Sequence, residues 1–161
     1  MLDILITGAG GQLGREMQRL SAVSPNHYVA TDLPELDITD RDAVLRAVGR
    51  SGAQVIVNCA AYTNVERAEE DEAAADRLNR GAAENLARAA EANGATLIHV
   101  STDYVFDGTA EVHTEDEPLS PLSVYGQTKA AGDIAVAGCP RHYIMRSSWV
   151  IGEGRNFVKT M

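Results

Sequence analysis

Tyr125 and Lys129 stand four residues apart in the stretch SVYGQTKAAGD, residues Ser123–Asp133. An α-helix advances about 3.6 residues per turn, so the two side chains project from one face, one above the other. A neighbouring ammonium favours the phenolate, drawing a phenol that ordinarily titrates at about 10 toward working pH and fitting it for proton transfer. The same spacing also arises without chemistry, as an exposed tyrosine with a lysine stem lying across its ring. The neighbouring residues have to decide between the two.

Two further stretches favour chemistry. STDYVFDG carries Thr102 at the end of an apolar run. Beside the Tyr–Lys pair its hydroxyl would complete a hydride-transfer site: Thr102 holds a substrate oxygen, Tyr125 passes it a proton, and Lys129 steadies the phenolate and grips nicotinamide ribose hydroxyls. Near the other end, TGAGGQLG sets Gly8, Gly11 and Gly14 at GxxGxxG spacing, directly after an apolar run and at the start of a helical pattern. A dinucleotide pyrophosphate needs bare backbone and free N–H groups at a helix N-terminus, which glycines permit. A glycine-rich turn that only packs helix on strand has the same spacing. Asp32, 18 residues past Gly14, stands where an acid would hydrogen-bond the adenosine ribose. A carboxylate there repels a 2′-phosphate and favours NAD(H), while Arg15 could reach such a phosphate. Asp32 also reads as a plain turn residue.

The elements that must position these residues alternate. LDILIT, HYVATD, AQVIVNCA, ATLIHVST and RHYIMRSSWV read as strands. Between them GQLGREMQRLSAV, with Leu13, Met17 and Leu20 along one side, reads as a helix. So does DITDRDAVLRAVGRSG, with Thr39 as cap, and so does one long helix from Asp71 to about Asn93, stopped by Gly94. VYGQTKAAGDIAVAG is the helix of the Tyr–Lys pair. The acidic run ERAEEDEAA reads as a solvated helix start. About twenty residues between Thr102 and Ser123 lack a regular pattern, and GRNFVKTM starts a last helix without a cap, as though the chain were cut short. Near-continuously apolar strands alternating with helices predict a doubly wound α/β fold, a parallel sheet with helices on both faces, in one dinucleotide-binding domain over residues 1–161.

Composition removes other classes. The chain of 161 residues is 45% hydrophobic and 23% charged, ordinary for a domain with its own core. A net charge of −9 leaves no basic stripe for a nucleic acid. No apolar run reaches the roughly 20 residues that span a bilayer, and MLDILITGAG lacks the build of a signal peptide, so the reading is cytoplasmic, with no membrane partner. Cys59 and Cys139 are too few for a disulfide framework and read as core fillers. No histidine or acid can be placed beside Cys59 for nucleophilic work, and His27, His99, His113 and His142 show no metal-ligand spacing.

At these residues the sequence resembles the extended short-chain dehydrogenase/reductase family. TGAGGQLG, VNCAAYTNVERAE, STDYVFDG, VYGQTK and RSSWV, in that order from Leu2 to Met161, are most similar to its dTDP-4-dehydrorhamnose reductases. The resemblance implies a Rossmann-like domain that reduces the 4-keto group of a dTDP-sugar with NADH or NADPH, in an enzyme often dimeric. It further implies that Gly8, Gly11, Gln12, Leu13 and Gly14 line the pyrophosphate, Asp32 the ribose, and Asp37 with Ile38 the adenine. Ala60, Ala61 and Tyr62 would flank the nicotinamide half. Thr102, Tyr125 and Trp149 would meet the sugar, although Trp149 also reads as a core aromatic at the sheet edge. Members of this family are nearly twice as long, and their substrate lobe comes largely from the part absent here.

Three related readings differ at particular points. Nucleotide-sugar dehydratases resemble this pattern but carry Asp-Glu after the catalytic threonine, where this chain has Asp103 and Tyr104. A 4-epimerase uses the same Thr, Tyr and Lys with tightly held NAD. The regulatory subunit of methionine adenosyltransferase resembles the group while acting as a binding partner.

Overall fold

In the computed structural model residues 1–152 are described, so the helix expected in GRNFVKTM lies outside the described residues. Five parallel strands, β1 (Asp3–Thr7), β2 (His27–Thr31), β3 (Val55–Asn58), β4 (Thr96–Thr102) and β5 (His142–Ser147), form one sheet in the order β2-β1-β3-β4-β5. The order reverses between β1 and β3, so the loops leaving these neighbouring strands part to opposite sides and open a crevice at their carboxyl ends. No helix among the described residues is long and apolar enough to cross a membrane.

Side chains alternate along each strand, which divides the core in two. Leu5, Ile56 and Leu97 face one side, covered by α2 (Arg41–Ser51), α5 (Ala82–Asn93) and α6 (Val124–Ala137) through Val44, Val48, Leu86 and Val136. Ile4, Ile6 and Val57 face the other, where α1 (Gln12–Ser21) lays Met17 against them. Both faces carry helices, as expected, but unequally. The alanines of α5 let it lie close to the sheet and to its neighbours: Ala82, Ala83, Ala89 and Ala90 are all buried.

Several local expectations are corrected. Leu20 on α1 is exposed, while Leu13 and Met17 on the same helix are half-buried. Asp40, not Thr39, caps α2, accepting from Ala43 N at 2.9 Å, because Thr39 is engaged by Asp37. The acidic run is two short helices, α3 (Val65–Glu70) and α4 (Glu72–Asp76), broken at Asp71, whose side chain caps α4. It is not merely a solvated face, for Ala68 is fully buried and Glu69 reaches another element. The long helix does continue to Asn93, but through a π-helical turn, Arg77–Gly81. Gly94 ends it at φ 63° in the left-handed region. β5 stops at Ser147, so the last residues of RHYIMRSSWV leave the sheet. After β4 the chain makes a 3₁₀ turn, Asp103–Val105, and then the expected irregular loop, whose ends are tied by Asp107 N to Ser120 Oγ (3.1 Å) and Ser120 N to Val105 O (2.9 Å).

Candidate functional site

A cavity of about 620 Å³ lies along the carboxyl ends of β1, β3 and β4. Its first end is made of backbone. Gly8 turns the chain out of β1 at φ 70°, and a Cβ there would meet Ala60 N at 2.5 Å, so no other residue fits without moving β3's loop. Gly8, Gly11, Gln12 and Leu13 are on the cavity wall; Gly14 is not. A Cβ on Gly14 would sit 2.2 Å from Gly8 O, so this glycine seats α1 against the turn instead of lining a ligand. Gln12 lines the cavity and also donates from Nε2 to Val150 O at 2.9 Å, tying the glycine turn to the segment after β5.

Asp32 lies on the wall beside this turn, its carboxylate accepting from Gly10 N (2.6 Å) and Leu33 N (2.9 Å). Arg15 donates to Gly10 O. Asp37 and the buried Ile38 also line this end. Hydrogen bonds from the Thr39 hydroxyl and backbone N–H hold the Asp37 carboxyl below its usual range. Ala60 and Ala61 are on the wall, whereas Tyr62 packs behind it with Ala68, Ala75 and Tyr125.

The second end is made of side chains. The α6 helix starts at Ser123, whose Oγ accepts from Gly126 N at 3.0 Å, and Glu69 of α3 accepts from Val124 N at 2.8 Å. Two N–H groups left over by the first helical turn are thereby satisfied, and the turn that carries Tyr125 is held from two sides. Thr102, Tyr125 and Lys129 all reach the same cavity, each nearly buried. The Tyr104 ring meets the Tyr125 ring edge-on, 5.5 Å between centroids. The position where elimination enzymes carry a glutamate is thus filled by an aromatic packed on the phenol.

The expected electrostatics of the Tyr–Lys pair are corrected. Burial pushes the Tyr125 phenol above its usual value; a hydrogen bond from Thr102 opposes this, and Asp103, Tyr104 and Asp133 reinforce it. The Lys129 charge does not offset that burial; its Nζ donates to Val100 O at 2.7 Å and lies 3.4 Å from His99 Nε2. Burial lowers Lys129 itself to about 8, against the pull of Asp133.

Trp149 is on the cavity wall and 58% exposed, so it is no core aromatic. Cys59 also lines the cavity; burial raises its thiol to about 11, leaving it protonated and poorly nucleophilic. Sequence reasoning missed Ser101, which lines the cavity with a buried hydroxyl that has no hydrogen-bond partner among the described residues. It also missed the buried Asn58, His99 and Asp133 below Lys129. Ser101 directly precedes Thr102, and alternation along a strand would have set the two on opposite faces. Only the strand's end, where the chain turns into the 3₁₀ segment, lets both line one cavity.

Residues 2–161, all of the chain but its first residue, match the family described as RmlD substrate binding domain. A curated dTDP-4-dehydrorhamnose reductase of Aggregatibacter actinomycetemcomitans is 44% identical over all of this chain and 56% of its own length. Another, from Mycolicibacterium smegmatis, is 43% identical over 98% of this chain and 49% of its own length. The chain spans about half the length of the curated relatives it matches. Among solved structures, a dTDP-4-dehydrorhamnose reductase of Clostridium acetobutylicum superimposes with a TM-score of 0.94 at 44% identity, over 98% of this chain and 57% of that one. One from Bacillus anthracis, in complex with NADP, gives 0.95 at 37% identity over 99% of this chain and 58% of that one.

Proposed function

The chain belongs to the RmlD substrate binding domain family, and on that premise we propose that it is the dinucleotide-binding part of an NAD(P)H-dependent reductase. The substrate is dTDP-4-dehydro-L-rhamnose, reduced at its 4-keto group to dTDP-L-rhamnose in nucleotide-sugar synthesis. One observation carries the reading: Thr102, Tyr125 and Lys129 line the same cavity as the glycine turn. A site for a long two-part cofactor and a site for carbonyl chemistry therefore form one continuous space.

The residues present fit a nicotinamide dinucleotide. Gly8 and Gly11 leave backbone bare at the N-terminus of α1, where N–H groups and the helix dipole favour an anion. At the other end the Ser101 hydroxyl is buried with no partner among the described residues, an arrangement that a hydrogen-bonding ligand would relieve. Asp32 favours a ribose that carries no phosphate, Arg15 beside it offers a cation, and a relative holds NADP. Both NADH and NADPH are therefore read as cofactors.

When bound, the nicotinamide supplies the hydride. The protein's part is proton management and orientation. Tyr125, pushed up by burial, holds its proton throughout the neutral range and is the donor to the carbonyl oxygen. Thr102, whose hydroxyl donates to Asp103 Oδ1 (3.2 Å) and accepts from Tyr104 N (3.2 Å), is held at the cavity wall and is read as a second contact to the substrate oxygen. Lys129 is still cationic at neutral pH and stabilises the phenolate as it forms. Trp149, on the wall and exposed, is read as a face for the sugar.

The reading includes a cytoplasmic location and a homodimer, which fractionation and sedimentation of the full-length protein address. Its principal test is to follow NADH and NADPH absorbance with dTDP-4-dehydro-L-rhamnose and the full-length protein. Oxidation that depends on the keto-sugar is expected. Its absence with both cofactors, in a protein that binds them, would overturn the reading.

A further inference from the structure

Beneath Lys129 a chain of buried polar side chains crosses the sheet. Thr7, at the end of β1, donates its hydroxyl to Asn58 Oδ1 at 2.9 Å, and Ala60 N donates to the same oxygen at 3.1 Å. A backbone N–H can only donate, so the atom it meets is the Asn58 carbonyl oxygen and the amide orientation is fixed. Asn58 Nδ2 therefore faces His99 Nδ1, at 3.0 Å. An amide nitrogen is a donor, so Nδ1 accepts and carries no proton. Burial, and then the charge of Lys129, lowers His99 to about 3, so the ring is neutral and its one proton sits on Nε2. That Nε2 lies 3.4 Å from Lys129 Nζ and 3.9 Å from Asp133 Oδ1.

We propose that His99 is a positioning residue for Lys129: with its proton fixed on Nε2 by Thr7 and Asn58, it offers the lysine a donor where the reverse tautomer would offer an acceptor. An ammonium has three donors and no acceptor, so it gains nothing from this nitrogen. Its hydrogens are left for Val100 O, at 2.7 Å, and for the cavity. The reverse tautomer would present a bare lone pair and draw the ammonium down, away from the cavity. The imidazole proton has its own destination. Asp133 Oδ1 is buried with no hydrogen-bond partner among the described residues, while Oδ2 takes Arg146 Nε at 3.0 Å. Closing the gap from 3.9 Å would satisfy both atoms.

The titratable groups around Lys129 are His99 on β4 and, on its own helix, Asp133 and Tyr125. One step out are Arg146 of β5 on Asp133, and Asp103 of the 3₁₀ turn acting on Tyr125. The catalytic meaning of the arrangement rests on the reductase reading above. The tautomer and its effect on Lys129 do not, so they are measured on the full-length protein without cofactor or substrate.

Long-range ¹H–¹⁵N spectra assign the His99 tautomer, and ¹³C shifts at the Lys129 ε-carbon follow its titration. In the wild type His99 is expected neutral, with its proton on Nε2, at every pH where the protein is folded between about 5.5 and 9. Asn58→Asp keeps the shape and both contacts to Oδ1 but replaces the donor by an acceptor. The His99 proton then moves to Nδ1, Nε2 becomes an acceptor, and the Lys129 midpoint rises by about one pH unit. Made in His99→Gln, the same substitution adds the carboxylate charge without a tautomer to switch, and the rise is at most half as large. A wild-type His99 protonated on Nδ1, or an equal rise in both backgrounds, would overturn the proposal. The wild-type spectrum decides alone if the variants do not fold. Absence of keto-sugar reduction with the expected tautomer in place would instead count against the reductase reading and leave the positioning role standing.

Discussion

At the glycine end of the cavity the ligand-facing surface is backbone, fixed by a turn that only Gly8 can make and by a helix that only Gly14 lets in so close. At the tyrosine end it is side chain, and the groups that matter are buried and shifted from their ordinary ionisation: Tyr125 upward, Lys129 and His99 downward. Backbone N–H groups do not titrate, and their geometry is set within a few residues. Buried side chains take their chemistry from every element packed around them. The first end is therefore a device of local conformation, and the second a device of tertiary burial.

The sharpest way to break this comparison is Tyr125→Phe. It removes only a hydroxyl at the buried end, and turnover should fall by about 10²- to 10⁴-fold with cofactor affinity changed by less than about twofold. Unchanged turnover in steady-state assays would take the proton donor away from Tyr125. Gly14→Ala attacks the other end without touching a ligand. A Cβ 2.2 Å from Gly8 O must push α1 off the turn, so fluorescence titration should show cofactor affinity falling by about tenfold while Tyr125 chemistry on bound substrate persists. The pH profile separates the ends again. Because the Lys129 value is lowered to about 8, its charge is present below that pH and is lost as pH rises through it, so kcat/KM should decline on the alkaline side with a midpoint near 8. A flat profile to pH 9 would show that the ammonium charge is not needed. Asp32→Ala makes the smallest change, raising the preference for NADPH over NADH by about three- to tenfold in paired kcat/KM measurements.

The comparison also explains what could be read from sequence. GxxGxxG after an apolar run announces its conformation through residue type, so the turn, the strand before it and the helix after it lie where expected. Gly14 was legible as a glycine that must be small, but whether it faces a ligand or a helix depends on the 2.2 Å approach of Gly8 O, which spacing does not encode. Tyr125 and Lys129 were legible as a pair on one face of a helix. Their ionisation was not, since the long-range contacts of Lys129 with Val100 and His99 come from β4, about thirty residues away. Glu69 looked like one acid among many, and only the fold shows it holding the start of α6. Trp149 was left between wall and core, and its exposure follows from β5 ending two residues earlier.

The π-helical turn at Arg77–Gly81 has a consequence for how the chain can vary in length. It sets Asn79 so that its side-chain amide accepts from Tyr62 N (2.8 Å) and donates to Tyr62 O (3.2 Å) and Thr128 Oγ1 (3.0 Å), while Gly132 of α6 leaves room for its carbonyl. Deleting one residue from this turn would restore a regular helix and swing everything on one side of it by about 100°. Either Asn79 would leave the loop after β3 and the tyrosine helix unjoined, or Leu86 and the buried alanines would be carried out of the core. Length can drift in the pinned loop between Asp107 and Ser120, but the extra residue in this helix is one the architecture has to keep.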